Sequence, residues 1–223
     1  MITCKNVTLI KDNHTILSDI SVNLTAKRIG IIGHNGSGKT TFSKLLNGLE
    51  IPTSGEVSLF NQEMEPIEKQ QHVGFVFQNP DNQIIFPIVE EDIGFGLTQL
   101  GLPKKEIQQR VEDFLNKFNL GHLKQRLTHQ LSGGEKQLIA LIGVLIMQPE
   151  YIILDEPTTL LDLKNRLALI EILNDLQQKL IIVSHDLELM SQMDQLILFH
   201  SGSIVDSGEP TRILTKYQEL SRC

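Results

Sequence analysis

Cysteine is nearly absent: the 223 residues hold two, Cys4 and Cys223, at opposite ends of the chain. That pair has no metal-ligand spacing and makes no disulfide framework, so a reducing, cytosolic setting is expected. Long apolar runs are missing too. The longest, such as LIALIGVLIM from Leu138 to Met147, reach about half of the roughly 20 residues that a bilayer span requires, so the chain is not expected to cross a membrane by itself. The opening MITCKNVTLIKDNHT scatters polar residues and has no apolar h-region, so it does not read as a signal peptide. Basic charge is in deficit: 20 Lys and Arg face 27 Asp and Glu, a formal net of -7. With no run of five or more basic residues, a grip on nucleic acid through its phosphates is not favoured. Gly/Ser linkers, low-complexity tracts and internal repeats are also lacking, so boundaries must come from changes of pattern.

At this length a sizeable core is available, and one compact unit is expected. Short alternating stretches up to EVSLF, Glu56 to Phe60, read as strands joined by polar turns. VGFVF, Val73 to Phe77, is a buried-strand candidate. The middle section turns helical: KKEIQQRVEDFLNKF places Ile107, Val111, Phe114, Leu115 and Phe118 on one stripe of an amphipathic helix. From Tyr151 onward short apolar strands (YIILD, KLIIVS, QLILF) alternate with LKNRLALIEILNDLQQ and LELMSQM, the pattern of a parallel sheet covered on both faces. The expected fold class is α/β, with one domain over 1–223. Its core comprises 1–77 and 149–223, interrupted by a helical insertion over 78–148.

GHNGSGKT, Gly33 to Thr40, follows the apolar RIGII and precedes a segment with helical spacing. In such a G-x-x-x-x-G-K-[ST] turn the glycines let backbone N–H groups curl around phosphate oxygens, and the helix presents its positive end to the same charge. Lys39 is expected to reach the β and γ phosphates and the Thr40 hydroxyl to hold Mg²⁺. The candidate nucleotide contacts are Gly33, His34, Asn35, Gly36, Ser37, Gly38, Lys39, Thr40 and Thr41. The strand YIILD ends in two adjacent acids. Asp155 suits holding Mg²⁺ directly or through one of its waters, and Glu156 suits a base that polarises the attacking water. VSHD ends the next strand and brings His185 to the same sheet edge, where a γ-phosphate contact and water orientation become its expected roles. Gln78, just past VGFVF, can bind Mg²⁺ and accept from water. A further segment, LSGGEKQL from Leu131 to Leu138, opens a helix at Ser132, Gly133 and Gly134 whose free amides make a second anion site. One cradle and two phosphate-binding helix starts per chain are reconciled by a head-to-tail dimer that buries two ATP molecules.

Taken together, these motifs resemble the ATPase subunit of ATP-binding-cassette (ABC) transporters across nearly the whole chain. The resemblance implies a P-loop, RecA-like core with an N-terminal antiparallel β subdomain and an inserted α-helical subdomain. It identifies GHNGSGKT as the Walker A turn, Gln78 as the Q-loop, Ser132, Gly133, Gly134 and Glu135 within the signature, and YIILDE as the Walker B strand. Asp162 ends the D-loop, and His185 is the switch histidine. FQNPDNQIIFPIVEEDIGFGLTQLGLP is similar to importer ATPases of the energy-coupling-factor group, which drive uptake of vitamins and of cobalt or nickel ions. There Asn79, Pro80, Asp81 and Gln83 mark the stretch that docks a membrane partner, and Ile84, Ile85 and Phe86 are expected to form an exposed apolar patch.

Departures from the family pattern are specific. LIKDNHTI lacks the aromatic on which many members stack adenine, leaving Ile10, His14 or Ile16 as substitutes. Leu138 stands where arginine is usual and Leu160 where Gly or Ser is common. The chain stops soon after SGEPTRIL, and with the KRIG lead-in it looks most similar to the biotin-uptake version of the group. The resemblance thus implies a peripheral ATPase, with ATP and Mg²⁺ as cofactors, on the cytoplasmic face of the cell membrane. It would pair with itself or a related ATPase and act on an integral membrane coupling protein and a substrate-capture protein, without touching nucleic acid or the cargo. An exporter ATPase and a soluble clamp on nucleic acid or protein are the competing classes; NPDNQ argues against the first, and the lack of coiled coils, a fused second cassette or a basic surface against the second.

Overall fold

A computed structural model describes residues 1–221; Cys223 lies outside the described residues. The chain forms two compact units, one of 1–75, 150–156 and 178–223, the other of 76–149 and 157–177.

In the first unit β1 (Ile2–Lys11), β2 (His14–Leu24), β4 (Ser54–Leu59) and β5 (Gln62–Glu63) form an antiparallel sheet in the order β2-β1-β4-β5. A second sheet has the order β10-β9-β3-β8-β7-β6. It is built from β3 (Arg28–Gly33), β6 (Val73–Val76), β7 (Tyr151–Asp155), β8 (Lys179–Val183), β9 (Gln195–His200) and β10 (Ser203–Gly208). β3 runs parallel to both β8 and β9, β7 runs parallel to β8, and β10 turns back antiparallel on β9.

The parallel strands β3, β7, β8 and β9 are buried apart from Arg28, Lys179, Gln195 and His200 at their ends, because both faces are covered. Ile31, Ile152, Ile153, Leu154, Ile181, Ile182, Val183 and Phe199 have no exposed surface, and each buried side chain of this size contributes about 1.5–3 kcal/mol. Helix α1 (Lys39–Asn47) lays Phe42 against Phe199 with ring centroids 5.0 Å apart. Gly30 lets β3 pass under α7 (Leu187–Ser191): a Cβ there would stand 2.3 Å from Leu196 Cδ2 and 2.7 Å from Met190 Sδ. α2 (Pro66–His72) and α8 (Pro210–Leu220) complete this unit.

The second unit packs α3 (Val89–Gln99), α4 (Lys104–Lys117), α5 (Gly133–Leu145) and α6 (Leu163–Asp175) around Ile93, Leu97, Val111, Leu115, Ile139, Leu141, Ile142 and Leu169. On the expected α4 stripe Val111 and Leu115 are fully buried, whereas Ile107, Phe114 and Phe118 are half-buried. α6 clusters with these helices although its sequence lies between two strands of the first unit's sheet.

Candidate functional site

The first unit gathers the glycine-rich turn, the acidic pair and His185 at the carboxyl edge of its parallel strands. β3 ends at Gly33, and after five intervening residues the chain enters α1 at Lys39. Gly38 has φ 98°, and a Cβ there would stand 2.7 Å from Leu17 Cδ2, so both conformation and space demand glycine. Lys39 Nζ donates to Gly33 O at 2.8 Å and to His34 O at 2.9 Å, folding the ammonium across its own turn. Burial pushes this ammonium below the ordinary lysine value, while Glu156 and Asp155 pull it back up. Ser37 Oγ is buried without a hydrogen-bond partner. A buried hydroxyl left unpaired is costly, and a phosphate oxygen in the turn would supply the acceptor it lacks. Thr41 is half-buried in the first turn of α1.

Thr40 Oγ1 donates to Asp155 Oδ1 at 3.0 Å. Asp155 is 4 % exposed; burial raises its pKa above the ordinary aspartate value, the Thr40 hydrogen bond opposes that rise and Glu156 adds to it. A hydroxyl beside a buried carboxylate is a hard-oxygen donor set of the kind magnesium takes. No group of three or more His, Cys, Asp or Glu able to hold a metal ion occurs among the described residues. An ion at Thr40 and Asp155 therefore fits with further oxygen ligands completing its shell.

Glu156 has φ 48°, a left-handed conformation that costs a bulky residue about 1–3 kcal/mol and is found where the site requires it. Its N–H donates to Val183 O at 2.8 Å, and its Oε2 accepts from His185 N at 3.3 Å. His185 Nε2 stands 3.1 Å from Glu156 Oε1 and 2.9 Å from Asn35 Oδ1. The turn is thereby tied to the next strand end through Asn35, a link that strand order alone does not reveal. Of the adenine-stacking substitutes, Ile10 and His14 are exposed on β1 and β2, and Ile16 is half-buried.

The second unit carries the remaining candidates. Ser132 caps α5: its Oγ accepts from Glu135 N at 3.2 Å, while Glu135 Oε2 accepts from Ser132 N at 2.7 Å and from Ser132 Oγ at 2.8 Å. The Ser132 backbone N–H, followed by the hydroxyl, holds the Glu135 carboxyl below its ordinary range. Asp162 caps α6, its Oδ1 accepting from Asn165 N at 2.8 Å. Ser132, Glu135, Asp162 and Asn165 line one cavity of about 560 Å³. Asn165 is a site residue that the sequence reading missed. A Cβ on Gly134 would stand 2.3 Å from Asn165 Nδ2, and the only signal for the contact is Asn165's place three residues after a capping aspartate.

Gln78 is exposed just beyond β6. The segment after it is folded on itself. Gln83 Oε1 accepts from Phe77 N at 3.2 Å and Gln83 Nε2 donates to Ala140 O at 2.9 Å, while Asn79 Oδ1 accepts from Asp81 N at 3.0 Å and Asp81 pairs with Lys136 at 2.6 Å. The expected patch is narrower than Ile84, Ile85 and Phe86. Ile85 is 73 % exposed, but Ile84 and Phe86 are half-buried, because the Phe86 ring packs 5.0 Å from Phe95 of α3. Among the described residues no helix is long and apolar enough to cross a membrane.

Residues 17–159 match the family described as ABC transporter. The biotin transport ATP-binding protein BioM of Rhizobium etli is 45 % identical over 207 residues, which cover 92 % of this chain and 92 % of that protein. The energy-coupling factor transporter ATP-binding protein EcfA1 of Latilactobacillus sakei is 38 % identical over 212 residues, covering 92 % of this chain and 76 % of its own length. Among solved structures, cbiO1 of Clostridium perfringens, part of the ABC transporter complex cbiONQ, superposes with a TM-score of 0.84 at 30 % identity, covering 99 % of this chain and 93 % of that one. The dimeric ATP-binding cassette MJ0796 in a post-hydrolysis state with ADP and Pi gives a TM-score of 0.84 at 26 % identity, covering 94 % and 99 %. These are P-loop ABC folds, the class expected from the motifs.

Proposed function

The chain belongs to the ABC transporter family and is an ATPase, and from that premise we propose that it powers an energy-coupling-factor importer as a head-to-tail dimer. One observation carries the reading: Thr40 with Asp155 and His185 with Glu156 meet at the sheet edge that bears the glycine turn. Backbone amides from Gly33 to Thr41 receive the phosphates of ATP, and Lys39 exchanges the Gly33 and His34 carbonyls for β and γ oxygens. Thr40 and Asp155, joined on this reading by Gln78, would hold Mg²⁺, and the ion would neutralise charge on those oxygens. Glu156 takes a proton from the attacking water as that oxygen bonds to the γ phosphorus and the bond to the bridging oxygen of ADP breaks. His185 orients the water and contacts the γ phosphate.

Ser132, Gly133, Gly134, Glu135 and Asp162 of a second copy complete each pocket, so two identical chains make two competent sites. The whole chain acts as one domain, its core of 1–77 and 149–223 holding ATP and its 78–148 subdomain presenting the signature. Closing and reopening of the dimer moves helices of an integral membrane partner, to which the ATPase is bound at the cytoplasmic face; a separate capture protein holds the cargo. The similarity to a biotin transport subunit favours biotin, with cobalt or nickel ions next.

The decisive experiment has two arms. Glu156→Gln should lower phosphate release by at least about 10²-fold, the size of a lost general base, and should trap an ATP-dependent dimer on size exclusion. Ordinary turnover in that variant would overturn the hydrolytic assignment. Purification of the chain from mildly solubilised membranes should bring down a long-helix membrane protein and a small hydrophobic capture protein. Purely soluble partners would sink the importer reading and leave the ATPase standing.

A further inference from the structure

Behind the phosphate turn, three rings from three separate elements meet. His34, the second residue of the turn, lies with its ring centroid 5.6 Å from that of Tyr217 on α8, tilted by 48°, and 6.2 Å from that of His200 at the end of β9, at 77°. These are separations and angles at which aromatic rings attract. The His34 carbonyl has two tasks within the turn: it accepts from Lys39 Nζ at 2.9 Å and from Ser37 N at 3.1 Å. A side chain held from outside therefore sets a peptide that faces the cradle.

The C-terminal helix is firmly seated. Asp206 within β10 accepts from Arg212 Nη1 at 2.7 Å, Arg212 Nη2 at 3.0 Å and Lys216 Nζ at 2.7 Å, and Arg212 Nη2 also donates to Ser207 O at 2.8 Å. The Arg212 hydrogen bond, followed by that of Lys216, holds the Asp206 carboxyl far below its ordinary range. Ile213 is fully buried beneath the same turn of helix. Lys216 immediately precedes Tyr217, so the ionic seat and the ring contact share one helical turn.

We propose that Tyr217 is a positioning residue for nucleotide binding: seated by Asp206, Arg212 and Lys216, its ring fixes His34 and through it the carbonyl from which Lys39 is released to the phosphates. The inference rests on reading the turn as the ATP site. It assigns α8, which carries none of the motif residues, a part in setting ATP affinity, and it makes no demand on the chemical step.

The test is equilibrium binding of a fluorescent ATP analogue together with steady-state hydrolysis, on the whole chain. Tyr217→Ala should weaken binding about 2- to 12-fold, the range set by one aromatic pair. KM should rise by the same factor, while kcat at saturating ATP stays within about twofold. Tyr217→Phe, which keeps the ring, should restore wild-type affinity. His34→Ala should weaken binding as well, and adding Tyr217→Ala to it should cost nothing further, because the two act through one contact. Asp206→Ala, which unseats the helix, should give a weaker loss in the same direction. Wild-type affinity in Tyr217→Ala, additive losses in the double variant, or a fall in kcat with KM unchanged would each overturn the proposal and leave the ATPase reading intact. Absence of ATP binding by the wild-type chain would overturn both.

Discussion

Thr40 Oγ1 donates to Asp155 Oδ1 at 3.0 Å, joining residues 115 positions apart at the mouth of the glycine turn. The contact places a hydroxyl donor on a carboxylate that burial has made reluctant to ionise. Without a cation, an ionised Asp155 is a liability of the kind that functional sites retain.

That liability predicts a stability gain on neutralisation. The folded-state pKa of Asp155 is raised from 3.8, so its contribution to stability is fully present below that value and is lost as pH rises through the raised one. Asp155→Asn keeps the shape and an acceptor for Thr40. At pH 7.5 without nucleotide it should melt about 2–4 °C higher, what 1 kcal/mol gives in a chain of this size, and the gain should vanish near pH 4. Magnesium-dependent turnover should be lost in the same protein. Thermal scans across pH decide the point: a variant that melts lower than wild type at pH 7.5 contradicts it.

The two inner glycines of the turn should not be equivalent. A Cβ at Gly38 meets Leu17 Cδ2 at 2.7 Å and Ile16 O at 3.2 Å, whereas one at Gly36, φ 77°, meets nothing within 4 Å. Gly36→Ala should therefore cost only the left-handed strain of about 1–2 kcal/mol, and Gly38→Ala should cost that plus a clash. Urea unfolding of the two variants should show Gly38→Ala the less stable. Equal midpoints would mean that the turn relaxes freely.

Much of this site was legible because its signals are local. Gly-rich spacing, apolar strands ending in Asp155 or preceding His185, and the Ser132-Gly-Gly-Glu135 string each announce an element or its end within ten residues. What escaped was tertiary. Phe86 turned inward because Phe95, nine residues on, offers it a ring from α3. Asn165 reached Gly134 only because α5 and α6 pack together. Ser132 and Glu135 also carry the three-residue spacing of a capping box, a reciprocal pairing that a Ser/Gly helix start alone does not announce. In the structure the Glu135 carboxylate accepts from Ser132 N and the Ser132 hydroxyl accepts from Glu135 N.

The capping box separates folding from assembly at one residue. Ser132→Ala removes the acceptor for Glu135 N and should lower stability by about 0.5–2 kcal/mol. Glu135, whose folded pKa is depressed from 4.5, contributes stability above that value that is lost as pH falls through the folded one. The deficit of Ser132→Ala should accordingly narrow in acid. Ser132→Arg adds bulk at an exposed helix start and should abolish ATP-driven dimerisation and turnover in a protein that still folds. Hydrolysis at the wild-type rate by Ser132→Arg would refute the composite pocket, whatever its melting temperature.

Ile85 offers the cleanest handle on the proposed membrane partner. It is 73 % exposed, yet its backbone is fixed, since Asp92 Oδ1 accepts from Ile85 N at 2.7 Å and from Phe86 N at 2.9 Å. The fixed backbone holds this apolar side chain in water, where a helix of the proposed membrane partner would cover it. Ile85→Asp should leave the melting temperature and basal ATP hydrolysis of the isolated chain unchanged, because it touches neither the core nor the turn. The same variant should lose co-purification of the membrane partner, a docked aliphatic anchor being worth about 2 kcal/mol or more at the centre of an interface. Retained capture would move the docking surface elsewhere on the chain, and lost basal hydrolysis would make Ile85 part of the fold instead.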